Sequence, residues 1–258
     1  MSNVIVKAGP ITEVVINRPE VRNALNTHTI EELIRVLNET RIDLRVEVVV
    51  LTGAGDKAFC AGADLAEVRN LSEPEAVRRY FGSMARLIDT VQHMPQPVIG
   101  AVFGHVLAGG MGLAAGVDLL VASQDAQFGL PEVKVGLYPM VVTAPISRLI
   151  GPRRTLELGL TGRVIDAQTA YDWGFVNRLV LTGQALSEAR SLAEEICQGS
   201  PTITRLGKEG WRLAQDVPMG ESLEMLTNLV SLVALSEDSK EGVRAFGDKR
   251  RPNWPSKQ

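Results

Sequence analysis

Cysteine is nearly absent from this chain: Cys60 and Cys197 are the only two among 258 residues. Two isolated thiols cannot make the multi-bridge framework of a small secreted domain, and neither sits at metal-ligand spacing. Histidine is as scarce, with three in all. There is no Gly-x-Ser-x-Gly elbow, so a serine-hydrolase triad lacks its parts. Charge of one sign is missing too. The net charge of −3 gives no field that would recruit nucleic acid or an anionic membrane. The only local concentration of base is the tail Lys249-Arg250-Arg251. No charge-free apolar run reaches the roughly 20 residues that span a bilayer. The first residues lack the basic start, apolar core and small-residue cleavage site of a secretory signal. These absences lead to the expectation of a cytoplasmic protein without a metal site, working on a small molecule.

What is present is the balance of a globular α/β protein, 45% hydrophobic and 22% charged. The length suits one α/β domain with an appendage. The chain is organised around residues 100–136, GAVFGHVLAGGMGLAAGVDLLVASQDAQFGLPEVKVG. An apolar β-like run, 98–103, breaks at Ala108-Gly109-Gly110 into a small-residue helix over 111–116. A second apolar run at 117–122 leads to a Phe-Gly-Leu-Pro-Glu turn. Before this stretch the pattern gives a hairpin over 4–16 turning at Gly9-Pro10 and a helix over 30–41 capped by Thr27 or Thr29. A buried strand over 46–51, a helix start at Leu65 and a helix over 72–93 follow. After it come helices over 141–150, 155–160 and 166–173, a strand over 176–180 and a helix over 188–198. Beyond Ser200 the pattern is all-helical, so the predicted division is 1–199 and 200–258. Strand, glycine turn and helix recur at 46–70, 98–116 and 117–150, the repeat of a spiral.

Two glycine turns, Ala61-Gly62-Ala63-Asp64 and Ala108-Gly109-Gly110, each leave bare N–H groups where a helix begins. If the turns stack, two such donors can meet one carbonyl oxygen and stabilise an enolate; each is worth roughly 3–4 kcal/mol. Glu132 lies in a Pro-flanked turn among apolar Phe128, Leu130, Val133 and Leu137. A carboxyl in such surroundings has a raised pKa suited to moving a proton. The run Gly110-Met111-Gly112-Leu113-Ala114-Ala115 also fits a dinucleotide fingerprint. That match begins after 100 residues instead of in the first βα unit, and it leaves the turn at 61–64 without a role. His105 and Cys60 read as packing residues.

Taken together, these blocks resemble the crotonase (enoyl-CoA hydratase/isomerase) superfamily. The resemblance is carried by Ala61-Gly62-Ala63-Asp64, the run 104–118, and Phe128-Gly129-Leu130-Pro131-Glu132 with Gly136-Leu137. Asn17-Arg18-Pro19, Asn23-Ala24-Leu25-Asn26, Leu160-Thr161-Gly162 and Trp173-Gly174-Phe175-Val176 add to it, and it extends from about residue 4 to the segment 241–246. It implies a spiral of ββα turns whose helical C-terminal region builds homotrimers or homohexamers. It also implies an acyl-CoA thioester as substrate, with coenzyme A part of that substrate and no separate cofactor. By resemblance, Ala63 and Gly109 supply the oxyanion N–H groups, and Glu132 is the acid/base. Arg22, Ala24, Ala61, Asp64, Leu65 and Ala66 match segments that contact the substrate, with Gly110 and Gly112 in the glycine helix. Phe246 and Lys249 match a C-terminal segment that reaches the nucleotide end of coenzyme A.

The sequence departs from that pattern at one place. Hydratases of the superfamily typically carry two glutamates; the second matches Glu132, and the first matches Gly112, which cannot activate water. Hydration of a 2-enoyl-CoA with one glutamate is the favoured expectation, and double-bond (Δ3-Δ2) isomerisation is the alternative. A non-catalytic acyl-CoA-binding oligomer is a third, of another class. A glutamate at 112 is expected to face the β-carbon of the substrate and to promote hydration.

Overall fold

The computed structural model describes residues 2–258. It opens with a hairpin, β1 (Val4–Lys7) and β2 (Ile11–Ile16), followed by α1 (Thr27–Ile42). Three similar units come next. The first is β3 (Val48–Gly53), β4 (Ala58–Cys60), α2 (Leu65–Val68) and α3 (Pro74–Gln92). The second is β5 (Val98–Val102), β6 (His105–Leu107) and α4 (Gly109–Ala115). The third is β7 (Leu119–Ser123), β8 (Gln127–Gly129), a 3-10 turn at Pro131–Val135 and α5 (Met140–Ile150). The body closes with α6 (Pro152–Thr161), β9 (Val164–Asp166), α7 (Ala167–Asp172), β10 (Arg178–Val180) and α8 (Ala185–Ile196). The helices α9 (Pro201–Ala214), α10 (Met219–Ala234) and α11 (Glu237–Gly247) follow.

One sheet has the order β1-β2-β3-β5-β7-β10 and the other the order β4-β6-β8-β9. The first strand of every unit joins the large sheet and the second joins the small one, both in parallel register with the preceding unit. That is a ββα spiral. The central strands β3, β5 and β7 are apolar without alternation because both faces of the sheet are covered there. Val48, Val50, Ile99, Ala101 and Val121 pack on α8, whose Ala185, Ala189 and Ala193 let the helix lie close. Val49, Leu51, Val98, Val102 and Leu120 point the other way, into the main core with Leu33 and Leu37 of α1 and Leu87 and Val91 of α3.

The structure differs from the sequence reading in several local features. Helix α1 is capped by Asn26, not by Thr27 or Thr29. The Asn26 backbone is extended, and its Oδ1 accepts from the Thr29 N–H at 2.8 Å, whereas both threonines are already helical. The single strand read up to the break at Ala108 is divided into β5 and β6, and β4 and β8 are not expected from the sequence; β4, β6 and β8 have three residues each, too few to set a period. The helices after Pro201 dock on the body through polar contacts. Lys208 Nζ lies 2.5 Å from Asp118 Oδ2, and Arg205 donates to the Val46 carbonyl at 2.6 Å. Among the described residues no helix is long and apolar enough to cross a membrane.

Candidate active site

The first glycine turn leaves β4 through Gly62, at φ +98°. Leu25 pairs with Ala63 as a parallel bridge: the Leu25 N–H donates to Gly62 O at 2.8 Å, and the Asp64 N–H donates to Leu25 O at 3.1 Å. Since the Gly62 carbonyl faces Leu25, the trans N–H of the same peptide, that of Ala63, faces the opposite way. The second turn leaves β6 through Ala108, at φ 51° and ψ −124°. Residues other than glycine seldom occupy that region, and such strain tends to be kept where function needs it. The two turns are stacked. A Cβ on Gly62 would lie 2.7 Å from the Ala108 Cβ and 3.0 Å from the Gly109 nitrogen. Neither the Ala63 nor the Gly109 N–H has a protein acceptor among the described residues, and both residues line one cavity of about 590 Å³.

Glu132 lines the same cavity. It stands on the 3-10 turn that opens with Pro131 and ends at Gly136, whose φ of 79° lets the chain reverse into the Leu137–Pro139 wall. Its Oε2 is buried with no hydrogen-bond partner among the described residues. Burial pushes the carboxyl up to about 7. Of the apolar residues expected around it, only Leu137 shares the cavity wall; Phe128 and Leu130 belong to the core, and Val133 is exposed. Leu65, Phe81, Met84 and Val142 complete an apolar surround.

The remaining residues singled out in the sequence separate into groups. Ala61 and Leu65 line the cavity. Asp64 and Ala66 line an adjoining polar groove, and Asp64 also caps α2 and pairs with Arg18 at 2.9 Å. Arg22 lies in another polar groove beside Asp56 and Lys57, and Ala24 is buried. Gly110 and Gly112 are not in the cavity wall. A Cβ on Gly110 would press on the backbone of Cys60, and one on Gly112 would lie 2.7 Å from the Val142 Cβ. These two glycines let α4 pack, and Val142, itself in the cavity wall, stands where a side chain at 112 would go. Phe246 is 88% exposed at the end of α11, and neither it nor Lys249 lines the cavity within one chain. The Cys60 thiol is pushed up to about 12 by burial, so it is not a thiolate near neutral pH. Tyr80 and Val142, both in the cavity wall, were passed over in the sequence because their spacing marks only a helix face.

A half-buried carboxyl and two free N–H groups thus share one apolar cavity on a ββα spiral, a set of groups able to move a proton beside a carbonyl. Comparison with known proteins agrees: residues 7–257 match the family model for enoyl-CoA hydratase/isomerase. A crotonyl-CoA hydratase of Syntrophomonas wolfei is 35% identical over 98% of this chain and 98% of that one. A short-chain-enoyl-CoA hydratase of Clostridium acetobutylicum is 34% identical over 97% of each. The crystal structure of an enoyl-CoA hydratase from Bacillus anthracis superposes with a TM-score of 0.94 at 34% identity, covering 99% of this chain and all of that one, 100%. The chain belongs to the enoyl-CoA hydratase/isomerase family and is an enzyme of it, with the crotonase fold. The non-catalytic alternative is thereby set aside.

Proposed function

We propose that this enzyme adds water to the double bond of a 2-enoyl-CoA thioester, with Glu132 as its single acid/base. The observation that carries the reading is the Glu132 carboxyl, raised to about 7 and with its Oε2 unpartnered, in the cavity that the free N–H groups of Ala63 and Gly109 also line. The thioester oxygen accepts from those two donors. The Glu132 carboxylate takes a proton from water as the water oxygen bonds to the β-carbon, and the double-bond electrons move onto the thioester oxygen. The enolate then collapses and takes the proton back from Glu132 at the α-carbon. One water is consumed, and the carboxylate is regenerated. Dehydration is the same path reversed.

A second reading is double-bond isomerisation, and a specific feature favours it. The wall contributed by Val142 where α4 meets α5 is apolar and offers water no second base. In that reaction Glu132 removes the α-proton of a 3-enoyl-CoA and returns it at the γ-carbon. A panel of thioesters decides between the two: hydration adds 18 Da by mass spectrometry, and isomerisation of a 3-enoyl-CoA, silent in mass, is read from the absorbance of the conjugated 2-enoyl thioester it forms. Absence of both products would overturn the proposal.

The working particle in this reading is a homotrimer or homohexamer in the cytoplasm, with coenzyme A entering only as part of the substrate. Leu223, Val230, Leu232 and Leu235 of the C-terminal helices are 59–71% exposed in one chain, more apolar surface than an isolated appendage leaves uncovered. Phe246 and Lys249 then serve the nucleotide end of a substrate bound to a neighbouring copy.

A further inference from the structure

The two donors proposed for the thioester oxygen are held in different ways. Gly109 opens α4, all seven of whose residues are buried, and the Gly112 N–H bonds to the Ala108 carbonyl at 3.1 Å. That arm is fixed by packing. Ala63 lies between Gly62, which has the widest backbone freedom, and α2, a helix of four residues that starts at the half-exposed Leu65. Ala63 is only partly buried against the core, so this arm leans more on hydrogen bonds for its direction than the Gly109 arm does.

Those bonds converge on Tyr80. The Tyr80 hydroxyl donates to the Leu25 carbonyl at 2.6 Å and accepts from the Asp64 N–H at 3.2 Å. The same Asp64 N–H also reaches the Leu25 carbonyl at 3.1 Å. Leu25 O, Tyr80 Oη and Asp64 N therefore form a closed triangle that fixes the peptide following Ala63. The peptide preceding Ala63 is fixed by the bond between the Leu25 N–H and Gly62 O. Tyr80 is 2% exposed, and burial raises its pKa, so the hydroxyl is neutral and brings no charge to the site. Its helix touches the other arm as well: Met84, one turn on, has its Cε 2.9 Å from the place a Gly109 Cβ would occupy. Helix α3 is thus a strut between the two arms.

We propose that Tyr80 is a positioning residue whose hydroxyl aims the Ala63 N–H at the thioester oxygen. The proposal rests on the reading of Ala63 and Gly109 as the oxyanion donors. Donor direction matters because such bonds act only where the oxyanion charge develops.

The test is Tyr80→Phe, which removes the hydroxyl and keeps the ring that meets Phe81 edge-on at 5.2 Å. Crotonyl-CoA turnover is read together with the infrared carbonyl stretch of a bound, carbonyl-¹³C-labelled, unreactive acyl-CoA. The variant is expected to lose about tenfold in kcat and to bind the thioester within twofold of the wild type. Its pH midpoint should stay where Glu132 puts it, and the carbonyl red shift on binding should shrink. An unchanged red shift and kcat in the variant overturn the proposal. So does a loss of binding and thermal stability with the red shift intact, which is the mark of a merely structural tyrosine. If the wild type itself shows no red shift, the oxyanion reading fails first, and the two failures are told apart. Should Tyr80→Phe not fold, site-specific replacement of Tyr80 by 3-fluorotyrosine keeps the shape with a stronger O–H donor. An altered carbonyl stretch then supports the proposal, and an unaltered one overturns it.

Discussion

Gly112→Glu is the substitution that would supply a second carboxylate, and the structure gives it an outcome opposite to the sequence expectation. A Cβ at 112 would lie 2.7 Å from the Val142 Cβ and 3.3 Å from the Ile88 Cδ1. Overpacking of this kind costs about 1–3 kcal/mol. A buried carboxyl without a partner adds about 1–3 kcal/mol. Replacing a helical glycine by glutamate returns only about 0.7 kcal/mol. The net loss of about 1–5 kcal/mol corresponds to a melting temperature lower by roughly 3–20 °C in a chain of this size. The nearest obstacle is the Val142 Cγ1, and the Cβ behind it is the second, so Val142→Ala should relieve part of the clash and Val142→Gly most of it.

The assay is a double-mutant cycle on Gly112→Glu and Val142→Gly, read by thermal melts and by product ratio on crotonyl-CoA and a 3-enoyl-CoA. The paired variant should be more stable than the sum of the singles by about 1–3 kcal/mol. It should raise hydration relative to isomerisation at least about tenfold, the low end below what a general base contributes. Additive stabilities, or a single Gly112→Glu that melts like the wild type, would refute the idea that Val142 fills the space.

Glu132→Gln should lower kcat about 10²–10⁴-fold with little change in thioester affinity; a variant near full activity would remove Glu132 from the mechanism. Because the carboxylate starts the reaction, kcat/KM of the wild type should climb as pH rises through about 7 and then level off. Stability should move the other way. The folded chain holds the Glu132 proton between the ordinary carboxyl range and about 7, so the group lowers stability progressively across that window and Glu132→Gln should melt higher than the wild type at pH 8 but not at pH 4. Asp118→Asn leaves the Lys208 ammonium, at 11% side-chain exposure, without its countercharge and with the Gln96 carbonyl as its remaining partner; urea unfolding should show a loss of about 3 kcal/mol. Light scattering at micromolar concentration should report a trimer or hexamer, and a monodisperse monomer would contradict the assembly.

How far the sequence could be read depended on how many residues each feature used. The strands β3, β5 and β7 have long apolar runs, and two covered faces leave them no polar alternation, so each was visible as a strand. The three-residue strands that build the second sheet have no period to detect, and only their stacking in space makes them strands. The cap of α1 was misassigned because Asn26, Thr27 and Thr29 are all capping residues by chemistry, and the backbone alone separates them: Asn26 is extended and the other two are helical. Glu132 and the two glycine turns stood out because a Pro-flanked acid and two helix-opening glycine turns are local patterns, and the resemblance tied them together.

Val142 and Tyr80 could not have been found that way. Each is one member of an apolar helical face, and its role depends on what another helix or turn places opposite it. For Gly112 the sequence alone suggests an empty position open to the substrate. In the structure the space belongs to Val142, thirty residues further along the chain, so Gly112 and Val142 form one feature divided between α4 and α5. The position that separates this chain from two-glutamate hydratases is therefore a pair. Changing its visible half alone should damage the fold before it changes the reaction.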